Sequence, residues 1–457
     1  MTAIFGGKEK GNDMEQAVFP KKPYSGRGGA KTPHFKNTCG KESISVPLPG
    51  MIVLPVQQHI GAPCVPCVKA GDRVLVGQVI ADTTAFVSAP VHSSVSGTVK
   101  KIARIRMPNG SPCDAVFIEP DGLQELSPDI KPPEVNDRES LLKAVRASGC
   151  VGLGGAGFPT HVKLNVTPDK ADTLIVNGAE CEPYITCDHR EILENSWNIM
   201  SGLYTLQELL GFRRVIIGVE NNKPDAIELL ESIAESETYD PHDRIKVLKL
   251  KTNYPQGAEK VLVHSCTGRT VPAGKLPLDA GCVVINITTL SFIADYLKTG
   301  VPLIKKRITV DGSAVGMRGN YIVPVGVPIA DVLDFCKVKN AEKVLMGGPM
   351  MGVAVSDLST PVLKQNNAIL AFTGKDAEVP PETACINCGR CITSCPMRLQ
   401  PVRIQRAAAR KDVAELEKLG VMNCIECGCC TYNCPAKRYI TQQMRVAKAI
   451  LRESKQK

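Results

Sequence analysis

The sequence CINCGRCITSCP at residues 385–396 recurs in its cysteine spacing at residues 424–435 as CIECGCCTYNCP. Each copy has the form C-x2-C-x2-C-x3-C-P, which lets three thiolates of one tight loop bind a 4Fe–4S cluster while the fourth cysteine serves the other cluster. The predicted ligands of cluster 1 are Cys385, Cys388, Cys391 and Cys434. Those of cluster 2 are Cys424, Cys427, Cys430 and Cys395. Two zinc sites are the alternative, although zinc binding requires neither this spacing nor a proline after both copies.

The segment around these motifs, residues 381–457, has a helical pattern and resembles the helical two-cluster ferredoxin domains. Residues 396–457 hold 13 Lys and Arg against 5 Asp and Glu. Since a cluster held by four thiolates is anionic, this positive charge offsets the charge of the clusters. Aromatic side chains are scarce here, with only Tyr432 and Tyr439, so binding of nucleic acid is not predicted.

The whole chain has 457 residues, of which 43% are apolar and 22% charged. This composition excludes wholesale disorder and predicts two to four domains. No apolar run reaches the roughly 18 residues that a membrane-spanning helix needs, and the first residues show no signal-peptide core. The expected compartment is therefore the cytoplasm, where 19 cysteines do not form a disulfide framework.

The N-terminal half begins with an extension, residues 1–43, followed by short β-branched runs in residues 44–105. The stretch GDRVLVGQVIADTTAFVSAPVHSSVSGTVKKI at residues 71–102 resembles the barrel-sandwich fold of biotinyl and lipoyl carrier domains. Those domains carry a modified lysine at a hairpin tip, but the tip here reads Thr83-Thr84-Ala85. A docking or structural role is expected instead.

Residues 136–300 alternate strand-like and helix-like runs, which predicts an α/β domain with a largely parallel sheet. Residues 305–356 return to short strands with one helix and predict a small α+β domain resembling the β-grasp fold. The predicted fold class is thus multidomain α/β and α+β.

A glycine loop opens the α/β domain: Gly152-Leu-Gly154-Gly155-Ala-Gly157 matches G-x-G-x-x-G. A dinucleotide fingerprint needs a strand before the loop and a helix directly after it. Here a helix-like run precedes the loop and Phe158-Pro159 follows it, so the Rossmann context fails. Bare backbone N–H groups in such a loop still suit a phosphate.

Four segments in sequence order resemble the NADH-oxidising flavin subunit of respiratory complex I. They are GLGGAGFPTHVKL (152–164), VNGAECEP (176–183), YPQGAE (254–259) and VVINITTL (283–290). The resemblance implies a non-covalent FMN held by these glycines, with Lys163 at its phosphate. The residues that it implies at the flavin are Asn177, Asn286 and Thr289, with Glu180 in the same site. It places Phe158, Glu182 and Glu259 at the NAD(H) side.

Some positions depart from that family's pattern. Ala179 replaces an Asp, Ala258 replaces a Glu and Ile285 replaces an Asn, and Leu276 stands where the family has an aromatic residue near the dinucleotide. The implied flavin contacts are therefore better supported by the sequence than the nucleotide contacts.

The order of domains, together with GGAKTPHFKNT (28–38), LPVQQHIGAPCVP (54–66) and APVHSSVSGTV (89–99), resembles the C subunits of the Rnf complexes, which are ion-translocating ferredoxin:NAD oxidoreductases. That resemblance implies a peripheral protein on the cytoplasmic face of the membrane, held by membrane-embedded and iron–sulfur subunits. It further implies that hydride exchanges between NAD(H) and FMN, and that single electrons pass through the clusters, with ferredoxin as an indirect partner. No side chain is expected to act as an acid or base.

Two other interpretations remain open at this point. A soluble cobalamin reductase shares flavin and cluster domains, and a non-catalytic iron–sulfur relay would keep the clusters with a vestigial glycine loop. The extension and the basic surface favour the Rnf interpretation over the cobalamin reductase. A protein that purifies with iron but without flavin would favour the relay.

Overall fold

The computed structural model describes residues 19–235 and 244–455 of the chain. The first 18 residues of the predicted extension lie outside that part. Residues 19–43 cross several domains before the first strand, β1 (Ile44–Ser45), pairs in parallel with a strand some 280 positions later along the chain.

The predicted barrel-sandwich consists of two small antiparallel sheets. Its strands are β2 (Ile52–Pro55), β3 (Val65–Pro66), β4 (Arg73–Val74), β5 (Val79–Asp82), β6 (Val91–His92), β7 (Gly97–Arg106) and β8 (Pro112–Pro120). The sheets have the orders β2-β8-β7-β4 and β3-β5-β6. Their inner faces bury aliphatic side chains such as Leu54, Ile80 and Ile118. The predicted end at residue 105 is wrong, because β8 pairs with both β7 and β2 in the middle of its sheet.

The α/β domain has a four-stranded parallel sheet, β11-β10-β9-β12. Its strands are β9 (Thr173–Gly178), β10 (Arg214–Glu220), β11 (Ile245–Leu250) and β12 (Cys282–Asn286). Its helices are α1 (Arg138–Ala147), α2 (Thr160–Leu164), α3 (Cys187–Leu210), α4 (Pro224–Ala234), α5 (Glu259–Thr267) and α6 (Ile287–Thr299). The strands are nearly continuous apolar runs because helices cover both faces of the sheet. Asp137 caps α1 by accepting a hydrogen bond from the Ser140 N–H.

The next domain forms a sheet of six strands with the order β1-β14-β13-β17-β15-β16. Its elements are β13 (Lys305–Asp311), β14 (Gly319–Pro324), α7 (Ile329–Phe335), β15 (Lys343–Met346), β16 (Val353–Val355) and β17 (Ala368–Phe372). Apart from β1, the strands follow the order second-first-fifth-third-fourth, with β13 and β17 parallel, which is the β-grasp arrangement. The predicted boundary at residue 356 is too early, since β17 lies in the centre of this sheet.

The C-terminal module is helical, as predicted. It contains α8 (Arg390–Thr393), α9 (Pro401–Ala409), α10 (Val413–Lys418), α11 (Cys429–Tyr432) and α12 (Ile440–Ser454). Helices α9, α10 and α12 share a small core that includes Ile404, Leu416 and Met444. Asp412 caps α10 through the Glu415 N–H. Within the ranges that the structure describes, no helix has the length and hydrophobicity of a membrane span.

Candidate functional site

The site lies at the carboxyl edge of the parallel sheet, where ligands bind in open α/β folds. Strands β9 and β12 end side by side, so that Asn177 and Asn286 are partners in the register. The Asn177 amide donates to the Gly257 carbonyl at 2.9 Å. Three of the four segments of the predicted flavin site therefore meet at this edge.

The glycine loop closes on itself beside Asn286. The Gly152 N–H donates to the Phe158 carbonyl at 2.9 Å, and the Gly157 N–H donates to the Gly152 carbonyl at 3.2 Å. The tip at residues 154–156 is exposed. A Cβ on Gly154 would lie 3.1 Å from the Asn286 amide nitrogen, so a side chain here would be tight against Asn286 unless that amide shifted.

Thr289 and Asn286 fasten the loop to the start of α6. The Leu153 N–H donates to Thr289 Oγ1 at 3.0 Å, and Asn286 Oδ1 accepts from the Thr289 N–H at 3.2 Å. The other end of the Asn286 amide donates to buried Asp188 at 2.8 Å. The structure thus brings Gly154, Asn286 and Thr289 together, as the resemblance implies.

Lys163 and Glu259 form an ion pair with a separation of 2.5 Å between Nζ and Oε1. Both side chains keep part of their surface in water, 28% for the lysine and 42% for the glutamate. The sequence assigns them to opposite ends of the site, phosphate and NAD(H). In the structure they are direct partners, and Phe158 is half-buried behind the loop.

Glu180 and Glu182 are bound by backbone amides. Glu180 Oε1 accepts from the Asp188 N–H at 2.6 Å at the start of α3. The two oxygens of Glu182 accept from the N–H groups of Met350 and Met351 at 3.0 and 2.9 Å. Removal from water raises the pKa of Glu182 to about 7, even though both amides stabilise its ionised form.

The eight predicted cluster ligands are divided between two cavities, across the two motifs. We define cradle 2 by Cys395, Cys424, Cys427 and Cys430, which line one open cavity. Cradle 1 is defined by Cys385, Cys388, Cys391 and Cys434, which line a second one. In each case three cysteines of one motif meet the last cysteine of the other. The extra cysteine, Cys429, is buried and directs its thiol to the Tyr254 carbonyl at 3.9 Å.

Cradle 2 is docked against the flavin edge. The Tyr254 hydroxyl donates to the Cys427 carbonyl at 2.7 Å, and a Cβ on Gly428 would lie 2.8 Å from the Met350 carbonyl oxygen. From the extension, the Gly29 N–H donates to the Ser394 carbonyl at 2.8 Å. Three different parts of the chain therefore hold this cradle.

The sandwich is docked on the other side of the glycine loop. The Ile60 N–H donates to the Gly157 carbonyl at 3.1 Å, and His161 Nε2 donates to the Phe86 carbonyl at 3.0 Å. Arg146 of α1 binds Asp82 at 2.8 Å and the Thr83 carbonyl at 2.5 Å, next to the hairpin tip. The tip that carries a lysine in carrier domains is thus an interdomain contact here.

Known families match the chain along most of its length. Residues 24–123 match the RnfC barrel sandwich hybrid domain, residues 145–295 match the Nuo51 FMN-binding domain, and residues 379–435 match the 4Fe–4S dicluster domain. A curated relative from Acetobacterium woodii, the C subunit of the Na+-translocating ferredoxin:NAD+ oxidoreductase complex, is 43% identical over 92% of this chain and 96% of its own. The chain belongs to the RnfC family.

Further RnfC relatives are similar over nearly the same span. The C subunit of the proton-translocating ferredoxin:NAD+ oxidoreductase complex of Clostridium ljungdahlii is 42% identical over 93% of both chains. The C subunit of the ion-translocating oxidoreductase complex of Rhodobacter capsulatus is 37% identical over 88% of this chain and 78% of its own. The predicted family, the sandwich, the flavin domain and the dicluster domain are confirmed.

Sequence reasoning missed several residues that build the site in this RnfC family member. Lys36 donates to three carbonyl groups of the acidic segment, those of Glu180, Glu182 and Ile185, at 2.6 to 2.9 Å. It lies in the quoted stretch 28–38, but nothing in the spacing indicates its role. Tyr254 lies in a quoted segment without an assigned contact, because its partner is some 170 positions away.

Proposed function

We propose that this RnfC family member is the NAD(H)-linked electron-transfer subunit of an ion-translocating ferredoxin:NAD+ oxidoreductase. One observation carries the proposal: the short segment 254–259 contacts both candidate redox sites. Its Gly257 carbonyl accepts from Asn177 at the flavin edge at 2.9 Å. Its Tyr254 hydroxyl donates to Cys427 of cradle 2 at 2.7 Å. A flavin edge and a four-cysteine cavity thus share one wall.

The residues at the sheet edge fit FMN. The exposed glycine tip leaves backbone N–H groups for a phosphate, and the backbone at Gly154 closely approaches the Asn286 side chain. Lys163 would hold the phosphate, while Asn177, Asn286 and Thr289 would hold the ring system. Bound FMN supplies the exchange between two-electron and one-electron chemistry.

The cysteine cavities fit two 4Fe–4S clusters, because each brings four thiols together with the motif crossing typical of two-cluster ferredoxins. Cradle 2 is the inner site and cradle 1 the outer one. Cys427 is buried and docked, whereas Cys385 and Cys388 are exposed. The outer site is the one that a redox partner reaches.

NAD(H) is the proposed substrate, with Phe158, Glu182 and Glu259 as its proposed contacts. The proposed partners are membrane-embedded and iron–sulfur subunits of the same complex, with ferredoxin acting indirectly. The names of the relatives support this assignment, as does the position of the outer cradle. We propose a peripheral location on the cytoplasmic face of the membrane.

The test is anaerobic purification followed by measurement of iron, sulfide, zinc and flavin. We expect about eight iron atoms and about one FMN per chain, with NADH bleaching both the flavin and the cluster bands. Iron without flavin, and no response to NADH, would leave only an electron relay. Zinc in place of iron would overturn both cluster sites.

A further inference from the structure

Lys306 is a buried lysine that reaches from the β-grasp domain into the flavin domain. It lies in β13, and only 2% of its surface is exposed. Its Nζ donates to the carbonyl of Leu153, inside the glycine loop, at 3.1 Å. Burying an ammonium group costs free energy unless charges and hydrogen bonds compensate it. The groups around Lys306 must therefore supply that compensation.

Both polar groups of the Leu153 backbone are held by side chains. Its carbonyl accepts from Lys306, and its N–H donates to Thr289 Oγ1 at 3.0 Å. The following residues, 154–156, are exposed. The base of the loop is therefore held in place while its tip is open to solvent. Such a loop presents its N–H groups to a ligand at a low entropic cost, because its base is already ordered before binding.

Carboxylates of the same site act on the Lys306 ammonium group. Burial lowers the pKa of Lys306, and Asp188 and Glu191 oppose that shift by favouring its charged form. Asp188 accepts from Asn286 at 2.8 Å and from Thr288 at 2.6 Å. Glu191 is paired with Arg307 at 2.9 Å. Lys306 is thus linked to the site in two ways. Its ammonium group interacts electrostatically with Asp188, which binds Asn286, and it donates a hydrogen bond to the Leu153 carbonyl of the glycine loop.

We propose that Lys306 is a positioning residue of the flavin site, supplied by the neighbouring domain. It holds the glycine loop ready for the FMN phosphate through Leu153 and places its ammonium group beneath the loop. This assignment rests on the proposed function. It also gives the β-grasp domain a role, since the flavin domain alone lacks this ammonium.

The test compares Lys306→Met with Lys306→Gln in the full chain, by FMN titration and by spectroelectrochemistry of the bound flavin. Lys306→Met removes donor and charge, and we expect the FMN dissociation constant to rise at least about tenfold. Lys306→Gln keeps a donor, so its dissociation constant should stay closer to wild type. Both variants should shift the flavin midpoint potential to more negative values, since a reduced, anionic flavin loses a nearby positive charge.

Arg269→Met is the matched control. Arg269 forms an ion pair with Asp172 at 2.7 Å at the amino edge of the same sheet, away from the glycine loop. The Arg269→Met substitution should lower the thermal stability of the chain without changing its FMN affinity or the flavin potential. If Lys306→Met binds FMN as wild type does, with the same potential, the assignment is overturned while the proposed function stands. A wild-type chain that binds no FMN would overturn both.

If the variants do not fold, hydrogen exchange on the flavin-free wild-type chain tests whether the base of the loop is fastened, which the assignment requires. The Leu153 amide, which donates to Thr289 Oγ1, should exchange much more slowly than the amides of Gly155 and Ala156, because only the base of the loop is fastened. Equal, fast exchange at all three positions would show that no clamp exists and would overturn the assignment.

Discussion

The two cysteine cradles share one spacing but have different surroundings. Gly389 and Gly428 occupy the same place in the two motifs, with similar left-handed φ values of 75° and 81°. A Cβ on Gly389 would meet nothing within 4 Å, whereas one on Gly428 would lie 2.8 Å from the Met350 carbonyl. The local loop geometry is therefore repeated. At this position the loop of cradle 2 packs against the β-grasp domain, whereas the loop of cradle 1 meets none of the residues that the structure describes.

The difference shows that ligand spacing and packing environment have separate origins. Spacing determines how a loop places its thiolates, and it is identical in both motifs. The environment depends on what the loop packs against, and cradle 2 contacts the extension, segment 254–259 and the β-grasp domain. In the proposed function this environment makes cradle 2 the inner site. The following variants test the difference in packing between the two cradles and the contacts that hold cradle 2.

Loss of a ligand should have the largest effect, with opposite consequences in the two cradles. In Cys427→Ala, iron content should fall from about eight to about four atoms per chain, and NADH should reduce the flavin but no cluster. In Cys388→Ala the same iron loss should leave the inner cluster reducible by NADH. Iron analysis and EPR during anaerobic NADH titration would distinguish them. Normal reduction of the outer cluster in Cys427→Ala would contradict the inner and outer assignment.

The paired glycines come next. Gly389→Ala should cost only the strain of a left-handed alanine, about 1 kcal/mol. Gly428→Ala should cost roughly 1–3 kcal/mol more, because its methyl group would collide with backbone that does not yield easily. Anaerobic thermal unfolding of the cluster-loaded proteins measures the difference. Equal costs would mean that cradle 2 is not docked in solution.

A smaller effect is expected from the hydroxyl groups of two tyrosines. Tyr254→Phe leaves the Cys427 carbonyl without its buried donor, at a cost of about 1–3 kcal/mol. Tyr432→Phe removes a hydroxyl that is 3.5 Å from the Lys31 carbonyl on a side chain that is 46% exposed. That change should stay within about 0.5 kcal/mol. Thermal unfolding of the two variants measures the difference in stability. Similar losses of stability in both would argue against the Tyr254 hydroxyl as a stabilising contact between segment 254–259 and cradle 2.

The smallest expected effect is a pH dependence of the unfolding free energy, which comes from Glu182 at its contact with the Met350 amide. Burial raises the pKa of Glu182 from its ordinary 4.5 to about 7. The folded protein therefore keeps a proton that the unfolded chain releases, and stability falls as pH rises through this window and levels off above it. Between about pH 6 and about pH 7.5 the wild type should lose roughly 1 kcal/mol that Glu182→Gln does not lose. Denaturant titrations at both pH values measure this, and an equal change in the unfolding free energy of the two proteins would refute it.

Much of the fold could be predicted because its signals are local. The caps of α1 and α10, the strands β9 and β12 and the helical character of the last domain all follow from short patterns. The ends of the sandwich and of the β-grasp domain could not be placed, since β8 and β17 join their sheets through pairing with distant strands. A strand's membership in a sheet depends on register with partners that a local pattern does not identify.

The same limit applies to the site. Gly154, Asn286 and Thr289 come together at the edge where β9 and β12 end, and the resemblance already implied all three at the flavin. The pairing of Lys163 with Glu259 and the fastening of Glu182 to the β-grasp domain were not foreseen. The NAD(H) contacts and the individual cluster ligands stay predictions.

By itself, the sequence determined the family, the order of the domains and two repeated cysteine loops, because these are written in residue type and spacing. Only the tertiary structure decided which cradle packs against the flavin edge and which lysines hold the carbonyl groups of the site. Those contacts join residues more than 140 positions apart, such as Lys36 with Glu180, Leu153 with Lys306 and Tyr254 with Cys427. Their energy comes from burial and hydrogen bonding that exist only once the domains are assembled.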